Sequence, residues 1–221
     1  ISPMHKPFAV IFDMDGVLID SNPYHKIALR KFCSRYGYTL DDQQLLERIY
    51  GRTNRDWLTN LFGSLPEEKI QAYTHEKEAI FRELYKDAIT PLPGLIPFLN
   101  AMDRNGITRA IGTSAPAENV TFTLSATGMT SYFPIILDES FVTRGKPDSE
   151  IYIKAAAALG MPNERCLVFE DSLSGVEAGK RAGSPVVGVA TTHSPEELKE
   201  TNYVIRDFSN LDPLFLESLL P

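Results

Sequence analysis

Cysteine is scarce in this chain: 221 residues hold two, Cys33 and Cys166, each in apolar surroundings with no CxxC partner and no histidine company. A zinc site, a redox pair and a disulfide framework are therefore not expected, and both read as buried free thiols of a reducing, cytoplasmic compartment. Unbroken apolar runs are also short. No window reaches the roughly 18 consecutive apolar residues that span a bilayer, and the start lacks a basic-then-apolar leader pattern, so neither membrane nor export is expected. Positive charge is the third shortage, with 22 Lys and Arg against 29 Asp and Glu and a net charge of -7. Phosphate-backbone binding needs clustered cations, so nucleic acid is not the expected partner; a small molecule is, and the acidic surface suits a monomer. No internal repeat or low-complexity tract appears. Ile1, Ser2 and Pro3 precede Met4 and are expected to be remnants with no bearing on the fold.

What is present is an alternation. With 43% hydrophobic and 23% charged residues, the composition suits one sizeable core plus a small appended unit. "FAVIF" (8–12), "ITRAIG" (107–112), "FPIIL" (133–137), "CLVFE" (166–170) and "PVVGVA" (185–190) read as strands. Between them, "LIPFLNAMDRNG", "ENVTFTLSATG", "SEIYIKAAAALG" and "SGVEAGKRAG" read as helices stopped by glycine. This is the βαβ rhythm of a parallel, Rossmann-like α/β sheet. From about Ser21 to Asp87 the rhythm breaks into helical segments without a strand, bounded by the proline-bearing "SNPYH" and "TPLPG". The expected division is an α/β core over 1–20 and 89–221 and an inserted α-helical cap over 21–88.

Ligands of open parallel sheets sit outside the carboxyl ends of the strands, and each such end here is polar. The first strand delivers Asp13 and Asp15, the second Thr113 and Ser114, the turn before "SEIYIK" Lys146, and "CLVF" Glu170 and Asp171. Four carboxylates in one crevice repel and raise at least one pKa unless a cation joins them. An all-oxygen donor set favours Mg2+. With the ion and Lys146 returning about +3 against about -4, a phosphate becomes tolerable, its oxygens bound by Lys146 and the Thr113 hydroxyl. Asp13 is then placed to attack and form an aspartyl phosphate. Asp15 protonates the leaving alcohol and later activates water, a task that calls for a pKa shifted towards neutrality.

Taken in order, "DMDGV", "GTS", "GKPD" and "FEDS" resemble the four motifs of the haloacid dehalogenase superfamily, and the insertion after the first is similar to the helical cap of its β-phosphoglucomutase-like branch. The resemblance covers essentially the whole chain. It implies Asp13 as nucleophile, Asp15 as acid and base, Thr113 and Lys146 as phosphate binders, and a Mg2+ site of Asp13, the Asp15 carbonyl and Asp171 with Glu170 direct or through water. Gly16 fits a tight turn where backbone approaches the phosphoryl group. Each residue also has an ordinary alternative: strand-end turn for Asp13 and Asp15, helix cap for Thr113, surface lysine for Lys146, capping pair for Glu170 and Asp171. Four motifs in order outweigh these.

In the cap, His25 resembles the histidine that in that branch couples cap closure to proton transfer, with ordinary packing as its alternative. Arg52 and Arg55 are candidates for the distal end of an anionic substrate. Lys77, flanked by acids in "HEKEAIF", reads as part of a solvated face rather than the cleft, and Trp57 as cap core. The first reading is a Mg2+-dependent phosphatase of a small phosphorylated metabolite, a sugar or polyol phosphate. The second is a phosphomutase interconverting hexose 1- and 6-phosphates. Against the mutase, Gly51 is followed by Arg52, Thr53 and Asn54 rather than Val-Ser-Arg, and Pro116, Ala117, Glu118 and Asn119 stand where its basic phosphate anchor follows "GTS". A phospho-accepting receiver domain shares the acid cluster, Thr and Lys, but in another order and without a cap.

Overall fold

A computed structural model describes residues 6–48 and 52–221; Ile1 to Met4 and Gly51 lie outside the described residues. The sheet has six strands, β1 (Ala9–Phe12), β2 (Thr108–Gly112), β3 (Ile136–Leu137), β4 (Cys166–Glu170), β5 (Val186–Val189) and β6 (Tyr203–Ile205), in the spatial order β3-β2-β1-β4-β5-β6. All neighbours are parallel. The order reverses between β1 and β4, which makes their carboxyl ends the switch-point crevice of a Rossmann-like sheet.

Alternation along the strands fills two cores. Val10, Phe12, Leu167, Phe169, Val187 and Val189 enter one cluster, with α5 (Leu95–Arg104) and α6 (Ala117–Thr127) packed over it. Ala9, Ile11, Cys166, Val168 and Val186 face the other way, under α7 (Glu150–Leu159) and α8 (Leu173–Arg181). A period of two in strands buried on both faces produces this division. Phe12 is the hub of the first core. Its ring stacks on Phe169 at 5.2 Å and meets Phe133 and Phe98 edge-on at 5.8 and 6.4 Å.

Between β1 and α5 the chain forms α1 (Asn22–Arg35), α2 (Asp42–Arg48), α3 (Asn54–Phe62) and α4 (Glu67–Tyr85). They close on their own core of Leu29, Phe32, Leu45, Trp57, Leu58 and Leu61. The outgoing and returning segments lie side by side, with Leu92 N donating to the Leu18 carbonyl at 2.9 Å and Ile19 bridging Pro91. A second small cluster of Ile19, Ala28, Phe81 and Tyr85 packs beside that junction. The sequence pattern misses β6, whose three residues are exposed, half-buried and buried in turn and give no alternation to read. It also overextends β3, an edge strand of two residues. Among the described residues no helix is long and apolar enough to cross a membrane, and both cysteines are free and buried.

Because Phe12 is fully buried among these rings, Phe12→Ala is expected to cost about 3–5 kcal/mol of stability, measured by urea unfolding. A loss below about 1 kcal/mol would contradict its central packing role.

Candidate active site

Asp13 follows β1 directly, its N–H donating to the Phe169 carbonyl at 3.0 Å. Phe12 is level with Phe169, so the next residues of the two strands, Asp13 and Glu170, emerge at the same height. Lys146, from the loop before α7, lies between them. Its Nζ donates to Asp13 Oδ1 at 2.9 Å and to Glu170 Oε1 at 2.6 Å. Glu170 is fully buried and also accepts from the Tyr152 hydroxyl at 2.6 Å, the Asp171 and Ser172 N–H groups and the Ser172 hydroxyl. Its lone pairs are spent on holding Lys146 and the start of α8, which Ser172 caps.

Carboxylate oxygens of Asp13, Glu170 and Asp171 lie within 4.8 Å of one another, all three buried. Burial, then the charge of Glu170, push the Asp13 carboxyl up to about 7 although Lys146 pulls the other way. Asp171 is likewise raised, first by burial and then by Glu170 and Asp13. Burial opposes the charge on Lys146, yet the two carboxylates hold it above its ordinary value. One ammonium is thus too little for three desolvated acids, and the deficit, with its all-oxygen donors, fits a hard divalent cation such as Mg2+. Gly16 closes this cradle. At φ +77° its Cα faces Asp171, and a Cβ there would stand 2.2 Å from Asp171 Oδ2.

Asp15 does not join the metal cluster through its side chain. The carboxylate turns towards α1, accepting from the Ser21 hydroxyl at 2.5 Å and lying 3.2 Å from His25 Nε2. Burial works against its charge, but the His25 ring and the Ser21 hydroxyl outweigh burial and leave Asp15 below its ordinary value. The expected shift of Asp15 towards neutrality is therefore reversed, and Asp13 is the raised member of the pair.

Asp13, Asp15, Lys146 and Asp171 line one cavity of about 730 Å3 between the sheet edge and the helices above it. Thr113 and Ser114 reach it from β2, Thr113 accepting from the Ala115 N–H at 3.1 Å instead of capping α6. His25, Arg52, Trp57 and Lys77 line it from the helical side. Two expectations for that side are overturned. Arg55 points away, paired with Glu67 at 2.7 Å where both are more than half exposed. Lys77 is buried rather than solvated, 2.8 Å from Glu78 and 3.0 Å from His25 Nδ1, because the acid beside it in sequence neutralises it inside the protein.

Sequence reasoning also missed the end of β5. Asn22 and Thr192 both donate to Asp171 Oδ2, Thr191 donates to the Gly16 carbonyl, and His193 lines the cavity. The signal was available, since "TTHS" follows the fifth strand as "GTS" follows the second. Asn22 and Asn119 gave none, being ordinary helix residues until the fold brings partners to them.

A family model described as haloacid dehalogenase-like hydrolase matches residues 9–183. A phosphorylated carbohydrates phosphatase of Thermotoga maritima is 38% identical over 182 residues, 79% of this chain and 81% of that protein. A beta-phosphoglucomutase of Bacillus subtilis is 29% identical over 212 residues, 92% and 91% of the two chains. Among solved structures, a HAD hydrolase of family IA, variant 3, from Entamoeba histolytica superposes with a TM-score of 0.88 at 29% identity, covering 96% of this chain and 98% of that one.

Since a methyl group at position 16 would strike Asp171, Gly16→Ala is expected to weaken Mg2+ binding by at least about tenfold in calorimetric titration with MgCl2. Unchanged affinity in a folded variant would separate Gly16 from the cradle.

Proposed function

The chain belongs to the haloacid dehalogenase-like hydrolases, and on that premise we propose that it is a Mg2+-dependent phosphatase hydrolysing a small sugar or polyol monophosphate through an aspartyl phosphate on Asp13. In this reading the Asp13 oxygen not held by Lys146 forms the bond to phosphorus while the bond to the leaving alcohol breaks. Lys146 and the Thr113 hydroxyl, with Ser114 beside it, bind phosphoryl oxygens. When bound by Asp13, Asp171 and the Asp15 carbonyl, with Glu170 behind them, Mg2+ supplies positive charge against the transferring group. Asp15 gives its proton to the leaving oxygen and takes one from the water that later attacks phosphorus. Its depressed pKa leaves it ionised and able to accept a proton in the second step, and an arriving phosphate anion raises its proton affinity for both.

Residues 21–88 act as the cap in this account, excluding bulk water and bounding a cavity that suits a small metabolite. The choice of phosphatase over phosphomutase is carried by the way positive charge around the cavity is already spent. Lys26 is paired with Asp42 at 2.8 Å and Lys77 with Glu78, Lys146 is committed to the transferring phosphoryl group, and Arg52 is engaged within the protein as well. After "GTS", Glu118 stands on α6 and pairs with Arg82 at 3.1 Å. Among the described residues lining the cavity, a second phosphate, which a hexose bisphosphate carries, therefore meets no lysine or arginine reserved for it. The substrate class also follows the carbohydrate phosphatase relative. The reading takes the enzyme as a cytoplasmic monomer, in keeping with its two buried free thiols.

The phosphomutase remains a second reading because His25 does contact Asp15. With a hexose 1-phosphate and its bisphosphate activator, the expected product is free phosphate; hexose 6-phosphate without phosphate release would overturn the phosphatase. In a panel of phosphorylated metabolites, Asp13→Asn is expected to lose at least about 10³-fold in turnover, and chelation should stop the wild type reversibly. Normal turnover by Asp13→Asn, or activity indifferent to chelator, would contradict the mechanism.

A further inference from the structure

Glu78 of α4 and Asn119 of α6 meet across the seam between the helical cap and the sheet core, Asn119 Nδ2 donating to Glu78 Oε2 at 2.7 Å. The same amide accepts through Oδ1 from Arg82 Nη1 at 2.7 Å, one turn further along α4. A carboxylate only accepts and a guanidinium only donates, so a single orientation of the amide satisfies both. Asn119 and Glu78 are 1% and 4% exposed. Both also line the cavity, yet so little of either is exposed that breaking the contact leaves polar groups largely buried without their partners.

From Glu78 the contacts run back to the reacting end of the cavity. Glu78 Oε1 accepts from Lys77 Nζ at 2.8 Å and from Asn54 Nδ2 at 3.0 Å. Lys77 Nζ lies 3.0 Å from His25 Nδ1, and His25 Nε2 lies 3.2 Å from Asp15 Oδ1. An ammonium has no lone pair, so it donates to Nδ1; the ring proton then sits on Nε2 and is directed at Asp15. The ring is held in that plane by Phe81, stacked at 3.6 Å. The line thus leaves the core at Asp15, crosses the cap through His25, Lys77 and Glu78, and returns to the core at Asn119.

We propose that Asn119 is a positioning residue for the reaction: the core-side anchor that seats α4, so that Lys77 and His25 present the Nε2–H to Asp15 and hold its carboxyl towards the leaving oxygen. Asn119 itself touches neither phosphate nor leaving group in this account. The proposal rests on the reading of Asp15 as the acid, and it makes a chemical demand that a merely structural contact would not. An alkoxide leaving group needs the proton from Asp15, whereas 4-nitrophenolate is stable without it. Disturbing the anchor therefore penalises alkyl phosphates selectively in kcat/KM, which reports transfer to Asp13 and not the later hydrolysis.

The test compares kcat/KM for the sugar or polyol monophosphate turned over fastest with that for 4-nitrophenyl phosphate, in four proteins: wild type, Asp15→Asn, Asn119→Asp, and Asn119→Asp combined with Glu78→Gln. Asn119→Asp sets two carboxylates against each other across the seam. It is expected to lower the alkyl phosphate by about tenfold or more, part of the 10²–10⁴-fold that acid–base catalysis supplies, with 4-nitrophenyl phosphate within about threefold of wild type. The double variant exchanges amide and carboxylate, restores the hydrogen bond with its direction reversed, and should recover most of the loss. Equal loss on both substrates, no loss on either, or no recovery in the double variant would each overturn the assignment of Asn119. If Asp15→Asn itself shows no preference between the substrates, the acid role of Asp15 fails and the anchor falls with it; the preserved 4-nitrophenyl phosphate activity of Asn119→Asp shows that this variant is folded.

Discussion

A single ammonium group, Lys146 Nζ, lies between two buried carboxylates at the carboxyl edge of the sheet, and the rest of the site is arranged around that imbalance. Asp13 and Glu170 emerge there because β1 and β4 pair with Phe12 level with Phe169, and they emerge dry because both strands are buried on both faces. Desolvating charges is expensive unless each is paired and hydrogen-bonded. Glu170 meets that condition through Lys146, Tyr152, Ser172 and two backbone N–H groups. Asp13 and Asp171 do not meet it fully, which is why both are raised. A cation followed by a phosphate is the chemistry such a deficit accepts.

Glycine makes the crowding possible. At Gly16 the backbone passes so close to Asp171 that no side chain fits. The packing beneath is equally constrained: Phe12, the residue before Asp13, is surrounded by a cage of rings, so the Asp13 carboxylate stands directly on a densely packed part of the core. In the proposed mechanism, a nucleophile at a strand end rather than on a loop keeps the geometry that in-line transfer needs.

What the sequence makes legible follows from where the information is local. Three strands with continuous apolar runs and polar residues at their ends place Asp13, Thr113, Glu170 and Asp171 around one crevice, and the turn before α7 adds Lys146, all on local pattern alone. β6 is not legible, because three residues on a sheet edge that run from exposed to half-buried to buried carry no alternation. Nor is the direction of the Asp15 shift, which depends on a ring ten residues later that an α-helix folds back over it. Lys77 illustrates the same limit. Acidic neighbours at the surface are indistinguishable in sequence from an acidic neighbour that is buried with it, and only the packing of α4 against α1 and α6 decides which applies.

The helical side is tied to the core at several separated points: Asn22 to Asp171, Thr53 beside Gly145, and Glu78 to Asn119. Each links a residue of α1, α3 or α4, or of the turn before them, to an element carrying or adjoining Asp171, Lys146 or Thr113, so the seating of these helices and the order of the site are joined. The central claim is that Asp13 forms the covalent phosphoenzyme, and it is tested most directly by acid-quenching a single turnover and mapping the phosphoryl mass by peptide mass spectrometry. The account predicts transient phosphorylation of the peptide containing Asp13, forming and decaying at rates that sustain turnover. Full release of the alcohol with no phosphoryl group on the protein at any time would contradict it.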